Sequence, residues 1–159
     1  MLIDKGKKFY LLHGILESEI FDSLKSKGVK QVVIMESRPS LKASCHNARK
    51  LLKGGIEPIV ISDNMAGFLF FRKHIKEVWL AYQEKGGQGA VCEIGALILA
   101  VLAQEHGVPV KYFPAGENVK SMAKEQEIFQ FMGKCVAPKG IKGYVPLLEL
   151  VPKKYIKEI

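Results

Sequence analysis

The sequence predicts an α/β protein: a doubly wound, mostly parallel sheet with helices on both faces, Rossmann-like in outline. Three observations predict it. Short runs rich in β-branched and aromatic residues recur at 8–12, 29–35, 58–62, 77–82 and 109–114. Helical stretches alternate with them across short polar links, the pattern of right-handed strand–helix–strand units. The second run holds Val32-Val33-Ile34-Met35, four apolar residues in a row, as a strand covered on both faces requires. The length of 159 residues fits one domain, and a hydrophobic share of 48% is ample for one core.

Each element has its own signal. After the first strand, His13-Gly14 reads as a turn, and Ile15, Ile20 and Leu24 set a helical stripe that Gly28 closes. The organising strand stops at Glu36-Ser37-Arg38-Pro39, because proline has no N–H for a ladder. Ser40 is placed to cap a helix over 41–52, which Gly54-Gly55 ends. The third strand leads into Ser62-Asp63-Asn64 and a short helix over 65–73. The fourth opens into a polar, glycine-rich loop over 83–89. The nearly unbroken apolar stretch that follows predicts a helix over 91–105, buried on most sides under the sheet or in a subunit interface. The fifth strand ends at Pro114. Beyond it, 116–131 reads as loop and helix, 133–143 as loop and 144–151 as an extended segment. Pro152 then opens a short final helix.

No apolar run approaches the roughly 20 residues that span a bilayer, and residues 1–8 do not read as a signal peptide. A cytoplasmic protein without a membrane partner is expected. Cys45, Cys92 and Cys135 are odd in number and lack metal spacing, so free thiols and no metal are expected. The net charge of +8 comes from scattered lysines, without an arginine-rich stripe or an aromatic platform. A solvated surface accounts for it; a nucleic-acid partner rests on the charge alone.

In an open α/β sheet, ligands bind at the carboxyl ends of the strands. Placed there are His13, then Glu36 and Arg38, then Asp63, then Tyr82 with the loop glycines Gly87 and Gly89, and finally 115–117. If that loop fed a helix amino end, its backbone N–H groups would suit an anion. Arg38 offers a forked contact to phosphate, or pairs with Glu36 or Asp63. Asp63 orients a sugar hydroxyl, acts as a base, or caps the helix after it. The loop glycines match neither the dinucleotide fingerprint nor a P-loop. Cys92 is either an activated thiol at a helix start or a packing residue.

Glu36-Ser37-Arg38-Pro39 and the segment Gly55-Ile56-Glu57-Pro58-Ile59-Val60-Ile61-Ser62-Asp63-Asn64 resemble the translation initiation factor 2B alpha/beta/delta family. That family includes methylthioribose-1-phosphate and ribose-1,5-bisphosphate isomerases. Ile94-Gly95-Ala96, the segment from Leu99 to Val110 and the ending from Leu148 to Ile156 are similar to it as well. The resemblance implies that this chain corresponds to the carboxyl-terminal Rossmann-like half, and that it dimerises. It implies no cofactor, and in the isomerases a catalytic cysteine and aspartate acting on a sugar phosphate.

The departures are specific. No cysteine stands at the Leu12-His13-Gly14 turn; Tyr82 takes the place of the aspartate. Cys92-Glu93 replaces an Asn-Lys pair, and Cys45 an arginine. Loss of one member of an acid–base or nucleophile pair costs orders of magnitude in rate. The resemblance therefore implies a non-catalytic initiation-factor-like protein. As a homodimer it would bind a phosphorylated sugar or nucleotide through His13, Glu36, Arg38, Asp63, Tyr82, Gly87, Gly89 and Glu93. The alternative is an isomerase-like enzyme with altered catalytic residues among His13, Asp63, Tyr82 and Glu93.

Overall fold

The computed structural model describes residues 6–156; residues 1–5, part of the start read above as carrying no signal peptide, lie outside the described residues. The order is β1 (Phe9–His13), α1 (Ser18–Ser26), β2 (Gln31–Met35), α2 (Lys42–Lys53), β3 (Glu57–Ile61), α3 (Ala66–Phe71), β4 (Ile75–Gly86), β5 (Gly89–Glu93), α4 (Ala96–Glu105), β6 (Val110–Pro114), β7 (Gln130–Phe131), β8 (Lys134–Cys135) and β9 (Leu148–Pro152). The main sheet runs β3-β2-β1-β4-β5-β9, with β6 also paired to β4. Strands β1, β2, β3, β4 and β6 are mutually parallel, whereas β5 is antiparallel to both β4 and β9.

Period-two alternation sorts the core onto two faces. Leu11, Val33, Met35, Val78 and Leu80 pack with Leu69 and Phe70 of α3 and with Leu99, Ala100 and Ala103 of α4. Tyr10, Leu12, Val32, Ile34, Trp79 and Ala81 pack with Phe21 and Leu24 of α1 and Leu51 of α2. Helices thus cover both faces, and the central strands are apolar at consecutive positions because each face has its own helix layer. The chain winds from β1 outward to β3, then returns to place β4 on the other side of β1. The switch point lies between β1 and β4.

The structure departs from the sequence reading after residue 82. No glycine loop feeds a helix there. Strand β4 runs on to Gly86, turns at Gly87-Gln88 and returns as β5, with Tyr82 opposite Cys92 and Gly86 opposite Gly89. The helix read over 91–105 is shorter: α4 starts at Ala96, after Gly95 at φ +102°. An apolar run does not by itself distinguish a buried strand from a buried helix, and residues 90–93 are a strand because β9 covers their other edge. Strand β9 itself confirms the extended segment near the carboxyl end. Ser40 lies 3.4 Å from the Lys42 N–H, and Leu41 at the helix boundary makes no side-chain cap. The expected helices over 116–131 and after Pro152 reduce to 3-10 turns at Glu125–Ile128 and Lys153–Tyr155.

The two loop glycines have different structural duties. A Cβ on Gly89 would lie 2.0 Å from the Val151 carbonyl oxygen, whereas one on Gly87 would meet nothing within 4 Å. Gly89 therefore sets how closely β9 approaches β5. We expect Gly89→Ala to destabilise by about 2–4 kcal/mol, through overpacking against backbone, and Gly87→Ala to stay within about 0.5 kcal/mol of the parent. Urea unfolding of the pair checks this; equal midpoints would contradict the β5–β9 contact.

Candidate functional site

Past His13, the chain crosses the switch point as a buried strap, Gly14-Ile15-Leu16. It passes so close over β4 that a Cβ on Gly14 would lie 2.8 Å from the Ala81 Cβ, and Gly14 has φ +81°. Buried backbone groups need partners, each costing about 1–3 kcal/mol if left without one. The strap finds them on three sides. Asn47 Nδ2 donates to the Gly14 carbonyl at 2.9 Å, and its Oδ1 sits 3.4 Å from the Leu16 N–H. The Ile15 N–H donates to Glu93 Oε1 at 2.8 Å, and the Ile15 carbonyl accepts from the Gly116 N–H at 2.9 Å. His46 Nε2 donates to the Leu16 carbonyl at 3.0 Å.

Two other carboxylates serve loops in the same way. Asp63 accepts the backbone N–H groups of Ser37 (2.9 Å) and Arg38 (2.8 Å), one on each oxygen, and so holds Ser37 in its left-handed conformation at φ +58°. It caps that turn, not the helix that follows. The Arg38 guanidinium pairs with neither Glu36 nor Asp63: it donates to the Gln130 carbonyl at 3.1 Å and lies 4.8 Å from the centre of the Phe131 ring. Arg38 thereby ties the long excursion after β6 to the end of β2. Glu149 on β9 accepts the N–H groups of Gly95 and Leu97, at 2.7 and 2.9 Å. It places a negative charge at the positive end of the α4 dipole.

The structure brings His13, Glu36, Arg38, Asp63, Tyr82 and Glu93 to the carboxyl edge of the strands. Gly87 and Gly89 stand apart, in the β4–β5 hairpin. His13 is buried; its Nε2 donates to the Ile94 carbonyl at 2.9 Å, while Nδ1 has no partner. Glu36 and Tyr82 are half-buried, and Tyr82 packs against the α4-side core. Cys92, fully buried in β5, is no helix-start thiol. Burial, then the charges of Glu149 and Glu93, push its pKa up to about 12, so it stays protonated and is a poor nucleophile. Among the described residues, no three His, Cys, Asp or Glu side chains converge on a metal site. No described helix is long and apolar enough to cross a membrane.

Beside the strap an open groove of about 590 Å³ runs along α2. Ile15, Lys42, Cys45 and Glu117 line it near the strand ends, and Arg49 and Lys53 line it further down. A helix in a strand–helix–strand unit runs antiparallel to its strands, so Lys42 lies at the carboxyl edge of the sheet and Lys53 towards the other. Sequence reasoning missed Asn47 and Glu149. Asn47 left a trace: it shares a helical stripe with Ala43 and Leu51, and a polar side chain in an apolar stripe needs a partner.

A family model described as the initiation factor 2 subunit family matches residues 15–159. A methylthioribose-1-phosphate isomerase of Thermus thermophilus is 27% identical over 159 residues, an alignment covering 92% of this chain and 48% of that protein. The 5-methylthioribose 1-phosphate isomerase of Pyrococcus horikoshii superposes with a TM-score of 0.79 at 22% identity, over 94% of this chain and 48% of the other. The delta subunit of translation initiation factor eIF-2B from A. fulgidus gives 0.78 at 18% identity, over 98% and 52%. This chain spans about half the length of these relatives.

Asn47→Ala removes the partners of two buried strap groups. The expected loss is about 2–4 kcal/mol, a midpoint lowered by roughly 5–15 °C for a chain of this size. Calorimetry on Asn47→Ala beside the exposed neighbour Arg49→Ala checks it; equal midpoints for the two would remove Asn47 from the strap.

Proposed function

The chain belongs to the initiation factor 2 subunit family, and from that premise we propose a non-catalytic member that binds a phosphorylated sugar or nucleotide at the strand ends. One observation carries the reading: the carboxylates of Asp63, Glu93 and Glu149 all accept backbone N–H groups, so these three acids at the strand ends are engaged in holding the chain's own turns. Cys92 stays a thiol. The departures from the isomerase pattern at the Leu12-His13-Gly14 turn, at Tyr82 and at Cys92-Glu93 point the same way. Lys42, at the strand-end mouth of the groove, supplies a cation for the phosphate.

The test is the melting midpoint against ribose 5-phosphate, ribose 1-phosphate, AMP and inorganic phosphate. A ligand at about 100 times its dissociation constant adds about 2.7 kcal/mol, a rise of about 5–10 °C at this chain length. A shift with one phosphorylated sugar or nucleotide, lost in Lys42→Ala and without turnover, is the expected result. No shift with any of the four would end the ligand reading. The second reading, an isomerase with altered residues, is favoured by the partnerless Nδ1 of His13, a buried lone pair at the strand ends. It predicts conversion of an aldose phosphate to a ketose phosphate, followed by proton NMR and abolished in His13→Asn.

The protein is further read as a cytoplasmic homodimer. The support is an apolar outer face on α3 and α4: Phe68, Phe71 and Ile98 are 58%, 74% and 55% exposed, with Met65 and Val101 beside them. A patch of large apolar side chains on two packed helices suits burial against its own copy. Sedimentation should give twice the 17.7 kDa chain mass and the single mass for Phe71→Glu. A monomeric parent would overturn this reading.

A further inference from the structure

Helix α2 carries Lys42, Arg49, Lys50 and Lys53 and no acidic residue. At about 100° per residue, positions 42, 46, 49 and 53 fall within an arc of about 60°. The opposite face, Ala43, Asn47 and Leu51, is buried. Lys42, Arg49 and Lys53 are exposed, and all three line the same groove. His46 on this stripe is engaged with the Leu16 carbonyl, and Lys50 at its edge with Ser18 Oγ at 2.8 Å. Among the described residues the only ion pair is Lys111–Glu77, so none of these cations has a described carboxylate within salt-bridge distance. Glu117 is the one acidic side chain lining the groove.

Such an arrangement works against the helix itself. Like charges three and four residues apart repel, and a lysine in the first turn, with no acid beside it, opposes the helix dipole. An external anion relieves both. The cations extend over about 16 Å, at about 1.5 Å per residue over eleven residues. One phosphoryl group at the strand ends reaches only the Lys42 end. A chain of phosphates, about 3.4 Å apart along a stacked strand, follows the whole stripe. We propose that the exposed face of α2 is a docking surface for a nucleic-acid phosphate backbone, bound without base preference. No Phe, Tyr or Trp is among the described lining residues, and the one lining imidazole, His46, is held on the Leu16 carbonyl, so a stacking platform for reading bases is not built there. The inference does not rest on the small-ligand reading, which concerns the strand ends alone.

The experiment is fluorescence anisotropy of a labelled twelve-residue oligouridylate against salt concentration, on the full chain. Three backbone contacts on a single strand, from Lys42, Arg49 and Lys53, predict a slope of log K against log salt of about −2.1. Arg49→Glu with Lys53→Glu should weaken binding at least tenfold at low salt. Arg49→Ala with Lys53→Ala, which guards against a folding effect, should make the slope shallower by about 1.4. The control Lys139→Glu with Lys142→Glu, of equal charge change on exposed loop residues, should change affinity less than threefold. Equal loss in control and α2 variants would assign the binding to net charge and overturn the proposal. So would no binding at the lowest salt, an unchanged slope in the alanine pair, or equal affinity for oligoglutamate, which would make α2 a surface for acidic protein.

Discussion

The structure depends on how the backbone of Gly14-Ile15-Leu16 is satisfied where it crosses β4. A segment buried at a sheet switch point cannot leave its N–H and C=O groups without partners. Those partners come from α2, from β5 and from the turn after β6. Each was placed by a different stretch of sequence, so the strap ties together elements that otherwise share only neighbours in the sheet. It also fixes what lies at the crevice where α/β proteins place their ligands: this chain's own backbone occupies part of it.

The same logic extends around the carboxyl edge. Asp63, Glu93 and Glu149 each accept backbone N–H groups, at a tight turn, at the strap and at the start of α4. These are places where a phosphate or a substrate carboxylate can be held in other proteins, because N–H groups and a helix dipole favour negative charge. Here the negative charges are built in. The strand-end layer is thus tied to the chain's own backbone, with the buried Nδ1 of His13 left without a partner. Arg38 follows suit, its guanidinium holding the excursion that carries β7 and β8.

Among the described residues, two outer surfaces are left without partners from their own chain, and they differ in character. The α3/α4 face is apolar, with Phe68, Phe71 and Ile98 in solvent. The α2 face is basic and open. They lie on opposite sides of the sheet, since α1 and α2 cover one face and α3 and α4 the other. Self-association and polyanion binding are therefore compatible on a single molecule.

The winding of the fold, its two helix layers and the positions of β1 to β4 and β6 were legible because local periodicity and the stop signals at Gly28, Pro39 and Gly54 agree with the tertiary arrangement. That Glu36, Arg38, Asp63 and Tyr82 share one edge was legible too, since it follows from parallel strands. The stretch 83–95 was not. Alternation does not mark a strand buried on both sides, and Gly89 could be understood only once Val151, far along the chain, lay against it. Nor did the sequence show that Asp63 and Glu93 accept backbone N–H groups, or that Asn47 faces inward to the strap. Residue types and spacing determine which groups reach a layer. Which of them stay free is decided by the long-range hydrogen bonds that bury them, and those exist only once the chain has closed.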